Sequence, residues 1–345
     1  MDTEKEPLLQ IEHLQTCFFT KAGVLKAVDD VSITIPAGKT VGLVGESGCG
    51  KSMTAMSVMG LVGKPGKVTE GRILYRRDGE EAQDLLALLA KARRQISGDK
   101  LSMIFQEPMT SLNPVMTVGK QVRESLLIHE KGISKEQAKE RVLELFRQVG
   151  IPDPARRYAS YPHQLSGGLR QRVMIAMAMA CNPDLLIADE PTTALDVTIE
   201  AQILHLMRKL QQEHGTSILM ITHNLGVVAE ICDYVYVMYA GKVVEYSEVH
   251  ELFQHTSHPY TQGLIRSLPK MEAGQGKLYN IKGMVPDLLH LPQGCRFAPR
   301  CEHACERCHC EMPPLYDIGG GHLVRCFLYE EQGTPVETAE GGEQE

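Results

Sequence analysis

Gly-Glu-Ser-Gly-Cys-Gly-Lys-Ser, at residues 45–52, is the stretch that decides the fold. It matches the pattern G-x-x-x-x-G-K-[ST], in which a glycine-rich loop binds phosphate groups. Residues 40–44 before the loop are short and apolar, and residues 53–59 after it contain no Pro or Gly. This order predicts a buried parallel strand, the loop and then a helix, as the motif requires. A chance glycine-rich turn is the alternative, and the flanks disfavour it.

The residue types of the loop indicate how it would bind a nucleotide. Its glycines let backbone N–H groups turn toward an anion, and the helix that begins near Lys51 adds the positive end of its dipole. Lys51 can reach the β- and γ-phosphates, and the Ser52 hydroxyl can ligate Mg²⁺. The residues predicted to contact the nucleotide here are Gly45, Glu46, Ser47, Gly48, Cys49, Gly50, Lys51, Ser52 and Met53.

Composition limits the class of protein. The chain has 345 residues, of which 43% are hydrophobic and 23% charged, an ordinary globular balance. Its net charge of −7 argues against nucleic-acid binding through a basic surface. No apolar run approaches the ~18–20 residues that span a bilayer, and the acidic N-terminus does not resemble a signal peptide. We therefore expect a cytoplasmic protein, which could sit on a membrane partner.

The order of patterns along the chain predicts an α/β fold. Residues 8–35 alternate apolar and polar side chains, which favours antiparallel strands ahead of the loop. Apolar runs at 185–188, 218–221 and 234–238 predict core strands, and they alternate with stretches of helical spacing. Such alternation predicts a largely parallel sheet covered on both faces. Six of the ten cysteines fall between Cys295 and Cys326, after a boundary rich in Gly and Pro.

Three acid or base candidates follow predicted core strands. Asp189 ends one strand and Glu190 follows it, so the first can hold Mg²⁺ through water and the second can orient or deprotonate an attacking water. His223 ends the next strand, where it could donate to a γ-phosphate oxygen or be an ordinary strand-end histidine. Ser166 and the two glycines after it precede a helix, which predicts either a helix cap or a second anion site.

These elements, in this order, resemble the ATP-binding cassette (ABC) ATPases over residues 8–325. The resemblance implies a P-loop NTPase of the ABC type, with a RecA-like core, an antiparallel β subdomain and a helical subdomain at about 107–168. It implies ATP and Mg²⁺ as cofactors, catalytic roles for Glu190, His223 and Gln106, and a Mg²⁺ or water contact for Gln106. Phe18 matches the aromatic residue that stacks on adenine, with Phe19 as the alternative. The residues that would face ATP held by an opposing subunit, or the dimer interface, are Ser166, Gly167, Gly168 and Asp196.

A closer resemblance is to the ATPase subunits of dipeptide and oligopeptide importers. It is carried by residues 105–114, 161–166 and 258–261. It implies an ABC domain over 1–264 and a C-terminal extension over 265–334. The last eleven residues, 335–345, hold four Glu and no basic or aromatic residue, which predicts a disordered acidic tail. The implied partners are a second, related ATPase subunit, two transmembrane permease subunits and an extracytoplasmic substrate-binding protein. The chain would then lie on the cytoplasmic face of the cell membrane.

The cysteines of the extension also resemble those of this importer family. Their spacing is Cys295-x5-Cys301-x6-Cys308-x17-Cys326, and some members bind a [4Fe–4S] cluster there. Four thiolates can hold such a cluster or a zinc ion, and the pattern also allows no metal. Cys305 and Cys310 depart from the four-cysteine pattern, so the ligand assignment stays open. Disulfides are disfavoured in the cytoplasm.

Two other classes of function remain open. A non-transport ABC ATPase that acts on DNA or ribosomes would carry tandem cassettes or long insertions, and neither is visible. A regulatory module with structural ATP is disfavoured by the intact Asp189-Glu190 pair and His223. Within the transport class, the cargo could be dipeptides, longer peptides or a metal complex such as nickel.

Overall fold

Two β-sheets organise the residues that the structure, a computed structural model, describes: 6–77, 79–106, 111–193, 195–268 and 279–336. The strands are β1 (Leu9–Thr20), β2 (Gly23–Ile35), β3 (Thr40–Val44), β4 (Gly66–Tyr75), β5 (Gln83–Asp84), β6 (Leu101–Ile104), β7 (Leu185–Asp189), β8 (Ser217–Thr222), β9 (Tyr234–Tyr239), β10 (Lys242–Glu248), β11 (Tyr316–Asp317), β12 (Leu323–Val324) and β13 (Thr334–Pro335). The α-helices are α1 (Lys51–Met59), α2 (Ala90–Ile96), α3 (Val118–His129), α4 (Lys135–Gln148), α5 (Pro154–Tyr158), α6 (Gly167–Met179), α7 (Val197–His214), α8 (Leu225–Ile231), α9 (Val249–Gln254), α10 (Pro259–Arg266) and α11 (Glu306–Cys310).

The smaller sheet is antiparallel and has the strand order β2-β1-β4-β5. Its long strands β1 and β2 pair from Leu9 opposite Ile35 to Thr20 opposite Gly23, with irregularities in between. The antiparallel strands predicted for residues 8–35 are therefore confirmed. Side chains on one face of this sheet are buried, as the alternating pattern requires.

The larger sheet has the order β13-β11-β12-β10-β9-β3-β8-β7-β6. Strands β9, β3, β8, β7 and β6 are parallel to one another, and every residue of β3, β7 and β8 is buried. The predicted core strands and their parallel arrangement are confirmed. Because parallel strands end at the same edge, the residues that follow β6, β7 and β8 are brought together there.

The helical part of the chain between β6 and β7 contains α3 to α6, and residues 107–110 lie outside the described residues. Helix α4 begins with a capping box, in which the Gln137 N–H donates to Ser134 Oγ and the Ser134 N–H donates to Gln137 Oε1. Ala138, Val142 and Leu145 form its buried stripe. None of the helices in the described residues is long and apolar enough to span a bilayer.

The C-terminal extension continues the larger sheet instead of forming a sheet of its own. Strand β12 pairs with β10, and β11 pairs with both β12 and β13, all antiparallel. Pro335 and Val336 were predicted to lie in a disordered tail, but Pro335 belongs to β13 and the Val336 N–H donates to the Leu315 carbonyl (2.8 Å). Two-residue strands carry no readable alternation, which explains this error. Residues 337–345 of the predicted tail lie outside the described residues.

Candidate functional site

The predicted strand, loop and helix around residues 45–52 are present as β3, the loop and α1. The loop lies directly on neighbouring backbone at Gly45 (φ 153°) and Gly50 (φ 105°). A Cβ atom at Gly45 would lie 2.2 Å from the Met238 carbonyl oxygen, and one at Gly50 would lie 2.3 Å from the Ala27 carbonyl oxygen. Both positions therefore need glycine, for space as well as for conformation.

Lys51 closes the loop from inside. Its side chain is buried, and its Nζ donates to the carbonyl oxygens of Gly45 (2.7 Å) and Glu46 (3.0 Å). The ammonium group thus lies within the curve of the loop, where phosphate oxygens could replace the two carbonyls. Cys49 is also buried, and burial raises the pKa of its thiol, so it serves as a packing group of the loop.

A pair of oxygen ligands lies beside the loop. The Ser52 hydroxyl donates to Asp189 Oδ1 (3.0 Å), which joins the first turn of α1 to the end of β7. Burial raises the pKa of Asp189, so a cation at this position would be a favourable partner. A hydroxyl and a carboxylate are ligands that Mg²⁺ takes beside nucleotide phosphates, and these two residues fit the predicted Mg²⁺ site.

Glu190 receives hydrogen bonds from the neighbouring strand ends. Gln106 Nε2, after β6, donates to Glu190 Oε2 (2.8 Å), and His223 Nδ1, after β8, lies 3.1 Å from Glu190 Oε1. The Thr193 hydroxyl donates to Oε2 as well (2.9 Å). Burial alone would raise the pKa of Glu190, but these hydrogen bonds outweigh it and lower the pKa, so the carboxylate is charged at neutral pH.

The backbone at Glu190 is held in the left-handed region, with φ 47°. Its N–H donates to the Ile221 carbonyl of β8 (2.9 Å), which fixes this conformation. Non-glycine residues adopt such angles at a cost, and the surrounding hydrogen bonds must offset it. Thr193 is the member of this group that the sequence did not identify. The signal was its place three residues after Glu190, within the turn that follows β7.

Ser166, Gly167 and Gly168, which were predicted to face ATP held by an opposing subunit, lie at the start of α6, next to the start of α7. Ser166 caps α6 by accepting a hydrogen bond from the Leu169 N–H (3.4 Å), and its side chain is exposed. A Cβ atom at Gly168 would lie 2.9 Å from a side-chain atom of Ile199, so the two helix starts pack closely. Asp196 caps α7 through the Ile199 N–H (2.9 Å). Gly167 is exposed as well.

Phe18 lies near the end of β1 and is half-buried, with its ring close to Gly66. Phe19, on the opposite face of the same strand, is 51% exposed. The structure therefore gives the two rings different surroundings, and the prediction that Phe18 stacks on adenine stays a prediction.

Five of the six cysteines of the extension line one cavity of about 130 Å³. It is lined by the four predicted ligands, Cys295, Cys301, Cys308 and Cys326, and by Cys305, whose Sγ lies 3.4 Å from Cys308 Sγ. The metal prediction is not confirmed, because no three His, Cys, Asp or Glu side chains in the described ranges are grouped closely enough to hold a metal ion. Burial and the neighbouring cysteines raise the pKa of Cys326 to about 12.

Comparisons with known proteins agree with this geometry. The chain matches the ABC transporter family over residues 28–193 and the family described as "oligopeptide/dipeptide transporter, C-terminal region" over residues 244–308. The oligopeptide transport ATP-binding protein AppD of Bacillus subtilis is 52% identical, over 94% of this chain and 98% of AppD. The dipeptide transport ATP-binding protein DppD of Haemophilus influenzae is 49% identical, over 96% of this chain and 98% of DppD.

Among solved structures, the dimeric ATP-binding cassette MJ0796 bound to ADP and phosphate superimposes with a TM-score of 0.62. It is 28% identical and covers 70% of this chain and 98% of MJ0796. The fold and site therefore define an ABC-type nucleotide-binding domain with ATPase activity. The chain belongs to the ABC transporter family, as an ATP-binding subunit that carries the oligopeptide/dipeptide transporter C-terminal region.

Proposed function

We propose that this chain hydrolyses ATP to drive the import of peptides through a membrane permease. The observation that carries the ATPase assignment is the arrangement at one edge of the larger sheet. There Glu190 is hydrogen-bonded to Gln106 and His223, beside the Ser52–Asp189 pair. The peptide cargo is supported by the matching C-terminal region and by the transport names of AppD and DppD. Nickel complexes remain the alternative cargo.

In the proposed site, the phosphate groups bind the loop and the N-terminus of α1. Lys51 exchanges its two carbonyl partners for β- and γ-phosphate oxygens, and the inward N–H groups bind the remaining charge. Ser52 and Asp189 would hold Mg²⁺, which supplies charge neutralisation at the β- and γ-phosphates. The loop then needs little rearrangement, because its curvature is already fixed by glycine contacts at positions 45 and 50.

Glu190 is the residue that we assign to the attacking water. Its carboxylate orients the water and accepts a proton from it as the γ-phosphate is cleaved. His223 donates toward the γ-phosphate, and Gln106 contacts the water or Mg²⁺. Gln106 and His223 are both hydrogen-bonded to Glu190. A side-chain rotation would let either residue exchange this hydrogen bond for one to the substrate.

A second ATPase subunit would complete the site. Ser166 and Gly167 are exposed at the start of α6, where backbone N–H groups and the helix dipole are available to an anion. The dimeric state of MJ0796 supports a paired arrangement. We therefore propose that Ser166, Gly167 and Gly168 face ATP bound to the loop of the opposing subunit, with Asp196 at the interface. We expect that subunit to be a related chain, which makes the pair a heterodimer.

The remaining partners would be two permease subunits and an extracytoplasmic substrate-binding protein. The helical part of the chain leaves large apolar side chains exposed, among them Val115 (80%) and Ile128 (66%), which suits contact with a membrane protein. We therefore propose that the chain lies on the cytoplasmic face of the membrane, where ATP is available.

We also propose that Cys295, Cys301, Cys308 and Cys326 hold a [4Fe–4S] cluster. They share one cavity, and four thiolates are the ligand set of such clusters. Four thiolates also hold a tetrahedral zinc ion, which is the alternative occupant of this cavity. The cluster would tie together segments that are distant in sequence.

Replacing Glu190 by Gln tests the ATPase assignment. We expect Mg·ATP to bind with wild-type affinity and steady-state hydrolysis to fall by at least about 100-fold, because the amide cannot accept a proton. Glu213→Gln is the matched control, since Glu213 pairs with Lys209 on the surface of α7, and its turnover should be unchanged. Wild-type turnover in the Glu190 variant would remove this residue from the proposed role.

The cargo is tested by capturing the chain from detergent-solubilised membranes and identifying the bound subunits by mass spectrometry. Reconstitution of that assembly into vesicles should give ATP-dependent uptake of labelled di- and oligopeptides. Uptake of nickel without peptide uptake would favour the alternative cargo.

A further inference from the structure

A short segment of the C-terminal extension lies against the phosphate loop. Residues 295–301 contain two arginines, Arg296 and Arg300, between two of the cysteines that line the cavity. Both arginine side chains are less than 10% exposed. Buried arginines are costly unless their donors are satisfied, so their partners show what the segment is built to hold.

Arg300 holds the carboxylate of Glu46, the second residue of the loop. Its Nη1 donates to Glu46 Oε2 (2.7 Å) and its Nη2 donates to Glu46 Oε1 (3.1 Å), a two-pronged pairing. The guanidinium is itself fixed by the carbonyls of Ile281 and Lys282 and by the Tyr239 hydroxyl. The loop side chain is therefore tied to a rigid group that lies 254 residues away in sequence.

The backbone of Glu46 is held by a second group from the same region. Its N–H donates to the Tyr260 hydroxyl (2.8 Å), and the Tyr260 ring packs on Tyr239 with 4.7 Å between ring centres. Phe297 lies against both tyrosines, so the segment at 295–301 supports both contacts to Glu46. The side chain of Glu46 is thus held by Arg300, and its backbone N–H is held by Tyr260.

Arg296 holds the backbone segment that contacts the loop from the other side of Cys49. It donates to the Asp29 carboxylate and to the Ala240 carbonyl. The next residue, Gly241, donates its N–H to the Cys49 carbonyl in the loop (2.9 Å). Arg300 therefore contacts the loop itself, and Arg296 contacts the backbone that supports the loop.

We propose that Arg300 is a positioning residue for ATP binding, which acts by holding and neutralising Glu46. The proposal rests on the proposed ATP site. Without Arg300, Glu46 would place an unpaired negative charge in the loop that receives a triphosphate, and the loop would lose one of its fixed points. Through Arg300, the conformation of the cysteine-containing segment sets the affinity of the loop for nucleotide.

The test measures binding of a fluorescent Mg·ATP analogue to the purified full-length chain. We expect Arg300→Met to weaken binding about tenfold, which lies within the range of coupling between contacting residues. Glu46→Gln combined with Arg300→Met should recover a large part of that loss, because the unpaired charge is then gone. This recovery is a readout that a purely structural role of Arg300 would not give.

Arg307→Met is the matched control. Arg307 also pairs with two carboxylates in the extension, those of Glu311 and Glu330, but these partners lie away from the loop. Its affinity for Mg·ATP should equal that of the wild type. Circular dichroism and the melting temperature verify folding. If Arg300→Met fails to fold, Arg300→Lys keeps the charge and loses the two-pronged geometry, and we expect its binding to weaken about threefold.

Wild-type affinity in the folded Arg300 variants would overturn the proposal, and so would a double variant that binds as weakly as Arg300→Met. Lys51→Ala separates this from a failure of the ATP site itself. If Lys51→Ala binds Mg·ATP as tightly as the wild type, the proposed ATP site is wrong. If Lys51→Ala loses binding and Arg300→Met does not, the ATP site stands and the role of Arg300 is rejected.

Discussion

Distant side chains come together in two regions of the molecule, and they do so differently. One region is the sheet edge where β6, β7 and β8 end, and the other is the cavity lined by cysteines of the extension. At the strand ends, Gln106 and His223 are already bonded to Glu190. In the cavity, five cysteines face one space, and Cys305 and Cys308 lie in contact at 3.4 Å. Parallel strands fix the first group before any ligand arrives, whereas the proposed cluster would fix the second.

A cysteine variant gives the largest effect expected from this comparison. Cys301→Ser should remove the proposed cluster, because a hydroxyl is a poor replacement for one of its four thiolates. We expect the iron content and the absorbance near about 400 nm of anaerobically purified protein to be almost lost.

Cys310→Ser is its control, since Cys310 is exposed and does not line the cavity. Iron content should be unchanged in that variant. A wild-type protein that carries zinc or no metal under the same conditions would show that the cavity does not hold a cluster.

A buried carboxylate sharpens the comparison, because it joins strand β10 of the larger sheet to the extension that carries the cavity. Glu245 of β10 is fully buried and accepts from the N–H groups of Ser257 and His258, and its Oε1 lies 2.9 Å from His322 Nε2 in the extension. Glu245→Ala leaves these groups without partners, so the free energy of unfolding should fall by about 3 kcal/mol or more.

Urea unfolding monitored by circular dichroism measures this change. Glu251→Ala is the control, because Glu251 is partly exposed on α9 and its carboxylate pairs with the exposed His255, and its effect should stay within about 0.5 kcal/mol. Equal effects in the two variants would show that the Glu245 contacts do not stabilise the union of the extension with the core.

The smallest effect concerns the adenine. Phe18→Ala should weaken ATP binding about tenfold if the ring stacks on the base, a contact worth ~1–3 kcal/mol. Phe19→Ala is its control on the opposite face of β1, and binding should be unchanged. A loss confined to Phe19→Ala would transfer the stacking role to that exposed ring.

The sequence predicted which strand ends carry acidic and basic side chains, because local patterns specify them. Asp189, Glu190 and His223 each follow an apolar run, and parallel strands bring such ends together wherever the order is right. Thr193 was missed, since a threonine in a turn has no distinctive spacing. The contacts of Arg300 were out of reach for another reason: they join residues 254 positions apart, and no periodicity records such a pair.

The extension was the least predictable part of the fold. Its strands β11, β12 and β13 have two residues each, too few to show alternation, and they were not expected to join the core sheet. The cysteine spacing indicated a shared site, but it could not decide which of Cys305 and Cys308 faces a ligand.

The pairing of β12 with β10 has a consequence for handling the protein. The backbone groups of Glu245 and Tyr246 that face β12 are paired with that short strand. A polypeptide cut back to the cassette would leave these backbone groups unpaired at the edge of the sheet, where they could pair with the same strand of a second molecule. Shortened forms of this chain should therefore self-associate and precipitate at concentrations at which the full-length protein remains monodisperse.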